Sequence, residues 1–429
     1  MKKIEYKHLR ETLYREKLDN GLTITVLPKK DYHTTFALFS TEFGAIDQQF
    51  IPYGENRFIQ FPPGIAHFLE HKLFETESGD VFDQFAHNGA SANAFTGLTK
   101  TAYLFSSTSS IKENIETLLN FVQEPYFTDE SVEREKEIIG QEIQMYEDQP
   151  EWTVALGLLK NLYPNHPVSN DIAGTLNSIQ KITADDLYRN HRTFYHPSNM
   201  QLFVAGNIDE KEIIEWVKKN QLDKYFESEK EIKRQFPVVQ QQELIPYKSI
   251  EADVVKAKVL IGIKGDNDDL EGVEALRYSI KMEFLLKLLF GETSTTYLKL
   301  YNERLIDDSF NYEHTVERQI DYLSIGGDAK DPYELTMILK TLLLTASESP
   351  DLNEVHFDLV KKRSIGQELQ SLNSLEYIAQ QFVDLSEMEA SVFDIVPLME
   401  QIKLEDIKQL ASSFLIEKNM SVFHVLKRT

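Results

Sequence analysis

The stretch Ile139–Gln144 reads IGQEIQ, and Ile365–Gln370 reads IGQELQ, 226 residues further on in a chain of 429. A near-identical hexapeptide displaced by about half the chain points to an internal duplication. That restricts the fold to two related halves, each closing its own core. The pattern around each copy restarts accordingly. In the first half, Asn20-Gly21 is a turn signal, and Leu22, Ile24 and Val26 then alternate with Thr23 and Thr25, which predicts a half-buried strand. A second strand is expected over 31–40. Pro62-Pro63-Gly64 introduces a helical pattern from 65 to about 75. Strands are expected at 92–95 and 101–106, helices at 110–122, 128–146 and 183–193. Residues 233–248, KRQFPVVQQQELIPYK, are rich in Gln and Pro, lack a period and are read as a linker. Beyond them come a strand in KAKVLIGIKG, a helix over 270–290, strands at 308–315 and 320–326, and helices at 331–346, 352–371 and 373–385. The expected fold class is α+β: two homologous halves, 1–232 and 249–429, each an antiparallel or mixed sheet with helices packed on one face.

Charge and composition narrow the function classes. The formal net charge is −24, which argues against nucleic acid and anionic membranes as main partners. There is no cysteine, so disulfides, thiolate metal sites and cysteine nucleophiles are excluded. Any metal must be held by His, Asp or Glu. The N-terminal MKKIEYKHLRETLYREKL has no apolar core of a secretory signal, and no apolar run reaches membrane-span length, so the cytoplasm is the expected location.

The chemistry is concentrated in His67-Phe68-Leu69-Glu70-His71. Positions four apart share a helix face, so His67 and His71 can present two imidazoles to one ion. Glu70 projects close to the same side and can reach water at the metal without being a ligand. The order H-x-x-E-H is the inverzincin motif. Two imidazoles do not make a hydrolytic zinc site without a third ligand. Taken alone, the pentamer can also be a partly exposed helix with incidental histidines. A Glu-rich helix follows, SVEREKEIIGQEIQMYEDQP, in which Glu135 and Glu142 are two turns apart on one face, with Ile138 and Ile139 between them as expected anchors. Glu-rich surface helices are common, and only the pairing with HFLEH gives this one chemical interest.

The combination resembles the pitrilysin family of zinc peptidases (inverzincins, M16-type), in particular the bacterial zinc-bearing subunit type related to the mitochondrial processing peptidase. In that family H-x-x-E-H is followed by a helix resembling E-R-x-x-x-[VI]-[IL]-x-x-E, and EREKEIIGQE matches it here. LDNGLTITVLP and GASANAFTGLTKTAYLF match the family's first strand and edge strand. The resemblance implies one Zn(2+) held by His67, His71 and Glu142, with Glu70 as catalytic base and Glu135 supporting the site. It further implies Ala92, Asn93, Ala94, Phe95 and Thr96 along the substrate. Residues 1–232 then form the zinc-bearing catalytic domain, and 249–429 the non-catalytic one.

The expected activity is zinc-dependent endopeptidase hydrolysis of peptides or unfolded segments within an enclosed chamber. The alternative is a non-peptidase structural or peptide-binding member of the family. Many active members carry, in the second half, an arginine followed seven residues later by a tyrosine. The matching positions here are Tyr301 and Asp308. The resemblance therefore implies a heterodimer in which a related M16-type subunit lacking the zinc motif supplies that pair.

Overall fold

Leu22, Ile24 and Val26 lead into a strand that exposes almost nothing. In this computed structural model, which describes residues 1–77, 79–237, 243–267, 270–385 and 390–428, Thr25 is buried along with Ile24 and Val26. The half-buried strand expected from the alternation is thus corrected, because both faces of the sheet are covered at that point. Residues 238–242 of the expected linker lie outside the described residues.

The first sheet has seven strands: β1 (Lys2–Tyr6), β2 (Glu11–Lys17), β3 (Thr23–Pro28), β4 (Thr35–Thr41), β5 (Ala90–Thr96), β6 (Thr101–Ser107) and β7 (Met200–Gly206). Their spatial order is β1-β2-β3-β7-β4-β6-β5. Only β7 and β3 pair in parallel. The second sheet has five: β8 (Tyr247–Ala252), β9 (Ala257–Lys264), β10 (Asn311–Glu317), β11 (Ile320–Ala329) and β12 (Met420–Lys427), in the order β8-β12-β9-β11-β10 with β8 and β12 parallel. From β3 to β5 the first sheet therefore has the same order and polarity as the whole of the second. The duplication suggested by one hexapeptide extends to the topology of both halves. β1 and β2 are additions to the first half. Their charged residues suit a sheet margin and mask any strand period.

The helices that matter for the site are α1 (Ile65–Leu73), α2 (Asp129–Glu147), α3 (Pro150–Leu162), α4 (Gly272–Phe290), α5 (Glu354–Ser371) and α6 (Leu375–Asp384). The two hexapeptides lie on α2 and α5, the corresponding helices of the two halves. Among the described residues, no helix is long and apolar enough to cross a membrane.

The chain forms two compact units. One comprises Met1–Gln144, Asn170–Phe236 and Ser374–Val383, the other Met145–Ser169, Pro237–Asn373 and Asp384–Thr429. The chain passes between them at Phe236, inside the stretch read as a linker. Each unit also takes one helix from the other half of the sequence: α3 belongs to the second unit and α6 to the first, which a contiguous division at 232 and 249 does not describe.

In the first unit, Phe39, Tyr103, Phe105, Leu202 and Val204 turn one sheet face into a core shared with α1. On the other face, α6 stacks Phe382 on Phe203 with ring centroids 4.6 Å apart. In the second unit, Tyr278 of α4 and His314 of β10 reach the Asp321 carboxylate on one sheet face, at 3.0 and 2.8 Å. On the other face α3 approaches closely through two glycines. A Cβ on Gly157 would fall 2.4 Å from the Phe423 ring, and one on Gly262 2.7 Å from Leu162. Just after α3, the Tyr163 hydroxyl donates to the Asp321 carbonyl at 2.7 Å and accepts from its N–H at 2.9 Å.

Candidate metal centre

The helix carrying HFLEH begins at a glycine that nothing else can replace without strain. Gly64 caps α1 at φ 92°, and a Cβ there would lie 2.4 Å from the Ala173 carbonyl oxygen. Pro62 and Pro63 stiffen the approach. Ile65, Ala66, Phe68, Leu69 and Leu73 are buried in the core of the first unit, which fixes the rotation of α1 and leaves His67 and His71 on the accessible side. At the helix end, buried Lys72 pairs with Glu75, and Glu75 also accepts from Arg134 of α2 at 2.9 Å. This ionic tie between α1 and α2 escaped the sequence reading. Its signal is the arginine of the E-R pair, already in the motif but unassigned.

Val132, Ile139 and Ile143 anchor α2 in the core. The expected anchoring by Ile138 is corrected: Ile138 is 56% exposed, because the helix turns about 100° from Ile139 and carries it to the outer side. With that rotation set, Glu135 and Glu142 both face α1.

His67, His71 and Glu142 converge. Each offers one ligand atom within 4.8 Å of the other two. Glu142 Oε1 is 3.7 Å from His67 Nε2, and its Oε2 is 3.7 Å from His71 Nε2. His71 donates its Nδ1–H to Glu135 Oε1 at 3.0 Å. Glu135 therefore stands behind His71 rather than among the donors. Burial, and then the neighbouring His71, pull the His67 pKa down to about 3, so its imidazole is neutral and available as a ligand. Burial opposes charge on His71 too, but the Glu135 hydrogen bond and the charges of Glu135, Glu70 and Glu142 outweigh it and raise that pKa.

Glu70 is 8% exposed and lies outside the donor set. Its Oε2 accepts from the Thr96 hydroxyl at 2.5 Å. Burial raises its pKa, with the Thr96 bond and His71 acting in the opposite sense. Thr96, expected beside a substrate, thus also touches the candidate base. Ala92, Asn93, Ala94, Phe95 and Thr96 all lie on β5, the terminal strand of the sheet, with one backbone edge unpaired among the described residues. Ala92 and Ala94 pack on the core, while Asn93 is exposed on the other face. His166 and His196 are local caps, each accepting from a backbone N–H two residues ahead at 3.2 Å. In the second unit, the Tyr301 hydroxyl donates to Asp308 Oδ1 at 3.2 Å.

Residues 61–176 match the Insulinase (Peptidase family M16) family, and residues 181–363 the Peptidase M16 inactive domain. The uncharacterized zinc protease YmfH of Bacillus subtilis strain 168 is 46% identical over 429 residues, covering 100% of each chain. The chain belongs to peptidase family M16. A solved M16-like peptidase from Alicyclobacillus acidocaldarius aligns with TM-score 0.92 and 35% identity over 97% of this chain and 99% of the other. A Helicobacter pylori protease shares the fold at TM-score 0.83 and 18% identity, over 96% and 99% of the two chains. A probable mitochondrial-processing peptidase subunit beta of Arabidopsis thaliana is 29% identical over 161 residues, 36% of this chain and 30% of that protein.

As an M16 protein, the chain carries the His-His-Glu triad of the family's catalytic zinc peptidases. The residues fit one zinc ion. Two imidazoles and a carboxylate are a standard zinc donor set, His67 is held neutral, and the Glu135 bond leaves His71 Nε2 to coordinate. His67 Nδ1 is buried without a hydrogen-bond partner among the described residues. Coordination at Nε2 would leave Nδ1 protonated, the tautomer of a neutral metal-bound ring.

Proposed function

We propose that this M16 chain is a zinc-dependent endopeptidase acting on peptides or unfolded segments. The observation that carries the reading is the placement of Glu70. It shares a helix with both histidines and is buried beside the triad, yet it is bonded to Thr96 rather than enlisted as a ligand. Zinc, when bound by His67, His71 and Glu142, supplies Lewis acidity toward a carbonyl and makes nearby water more acidic.

The rest falls to the protein. Glu135 holds His71 in the tautomer that presents Nε2. Glu70, its proton affinity raised by burial, accepts a proton from the attacking water and returns it to the leaving amine. Thr96 orients the Glu70 carboxylate. The free edge of β5 hydrogen-bonds an extended substrate as an added strand bordered by Ala92 to Thr96, bringing the scissile bond to the Thr96 end. With Tyr301 and Asp308 where the family resemblance puts an arginine and a tyrosine, the chain acts as the metal-bearing subunit of a heterodimer. Its related partner completes the site and a chamber around it.

The test is hydrolysis of a peptide mixture by the zinc-loaded chain, read by mass spectrometry. Internal cuts should vanish in Glu70→Gln at unchanged zinc content. Persisting cleavage in that variant would overturn the role of Glu70. Activity should rise when a related subunit lacking H-x-x-E-H is added, and full activity of the lone chain would overturn the heterodimer.

A further inference from the structure

Strand β5 has two faces, and the metal centre accounts for only one. Ala92 and Ala94 pack on the core that carries α1. Ser91 and Asn93 point the other way, in two cross-strand rows. One runs Asn93–Leu104–Leu38–Phe203 and the other Ser91–Ser106–Phe36–Ala205. This is the face on which α6 lies, since Phe382 of α6 stacks on Phe203. Between the first turn of α6 and the β5 margin the helix leaves a cavity of about 380 Å³. Its floor includes Phe36 and Leu104, its β5 side Ser91 and Asn93, and its far walls Tyr32 and Glu376. Among the described residues lining it, Glu376 is the only charged one, and it is exposed.

We propose that this cavity is a side-chain subsite selecting a lysine or arginine of the substrate through Glu376. The inference rests on the reading of β5 as the strand to which substrate is added. In an added strand every second side chain points to the same face as Ser91 and Asn93, from a backbone about 4.8 Å beyond β5. A lysine or arginine on that face lays its aliphatic stem over Leu104 and Phe36 and brings its cationic head toward Glu376. A glutamate there meets like charge, and a short side chain does not span the gap. Asn93 and Ser91 lie three and five residues from Thr96, the residue bonded to Glu70. At about 3.4 Å per residue this places the subsite roughly 10–17 Å along the strand from the reacting bond, three to five residues to one side of it.

Peptide binding to the Glu70→Gln protein, followed by fluorescence anisotropy, tests this without turnover. Peptides carry lysine or glutamate at the third to fifth position on either side of a mapped cleavage bond. At one such position the lysine peptide should bind about tenfold more tightly than the glutamate peptide. That ratio should collapse toward one in Glu70→Gln/Glu376→Gln and invert in Glu70→Gln/Glu376→Lys. Because the ratio is read within each protein, a general loss of affinity does not imitate the result. Equal binding of both peptides at every position, or a lysine preference that survives Glu376→Lys, overturns the subsite while leaving the peptidase reading standing. A zinc-loaded wild-type chain that cuts no peptide either alone or with the related subunit added overturns the peptidase reading, and the subsite with it.

Discussion

His71 donates its Nδ1–H to Glu135 at 3.0 Å, and this bond turns Nε2 toward Glu142. One carboxylate thereby selects which nitrogen of the imidazole faces the metal centre. Replacing Glu135 with alanine should lower zinc affinity by about 10–100-fold, measured by competition with a chromophoric chelator. Glu135→Gln keeps an oxygen that can accept the N–H and should lose less. Identical affinity in the alanine variant would show that something other than Glu135 orients the ring.

Thr96 and Glu70 make the second bond that matters. A hydrogen bond to a charged carboxylate is worth about 1.5–3 kcal/mol. Thr96→Val should therefore cut kcat by roughly tenfold to a hundredfold with zinc content intact, and Thr96→Ser should restore most of it. Equal turnover by the valine and serine variants would remove Thr96 from the orientation of the base.

Gly64 is predicted to be intolerant of any side chain. Alanine at φ 92°, with the Ala173 oxygen 2.4 Å from its Cβ, should cost about 2–4 kcal/mol. The loss should appear as a lower denaturant midpoint. Because α1 carries both histidines, weaker zinc binding should accompany it. A variant within about 0.5 kcal/mol of the parent would mean that the loop around Ala173 yields easily.

What could be read before the structure follows a physical line. Contacts encoded by helix spacing were legible: His67 with His71, Glu135 with Glu142, and α1 beginning after Pro-Pro-Gly. Features set by packing were not. Ile138 and Ile139 are equally apolar, and only the rotation of α2 against the core separates the buried one from the exposed one. Thr25 sits in a polar slot of an alternating strand, yet coverage of both sheet faces buries it. α3 has no clean apolar stripe, because its close approach to β9 and β12 relies on Gly262 and on its own Gly157. The destination of α6 depends on Phe203, a residue far away in sequence, so no local pattern announces it.

Acid should weaken the fold through buried neutral histidines. His191 is buried, donates its Nε2–H to the Val122 carbonyl at 2.8 Å, and burial pulls its pKa down to about 4. Unfolded, it takes up a proton near pH 6.5. Between these values the unfolded chain binds more protons, so stability falls as pH drops from 6.5 toward 4 and is fully present above 6.5. The contribution is on the order of 3 kcal/mol. Denaturant midpoints at pH 7 and pH 5 should differ less in His191→Gln, whose amide can still donate to Val122. An unchanged difference would assign the acid loss to other groups.

The exchange of α3 and α6 ties assembly to the order of synthesis. His67, His71 and Glu142 leave the ribosome early, but the helix that covers Phe203 belongs to Ser374–Val383. Until those residues emerge, Phe203 lacks the ring that stacks on it, and exposed apolar surface of that kind is what chaperones and aggregation compete for. A truncated product ending at the duplication boundary lacks that cover and carries α3 without the strands it packs against. The duplication has left two copies of one fold, each completed by a helix encoded in the other half of the sequence.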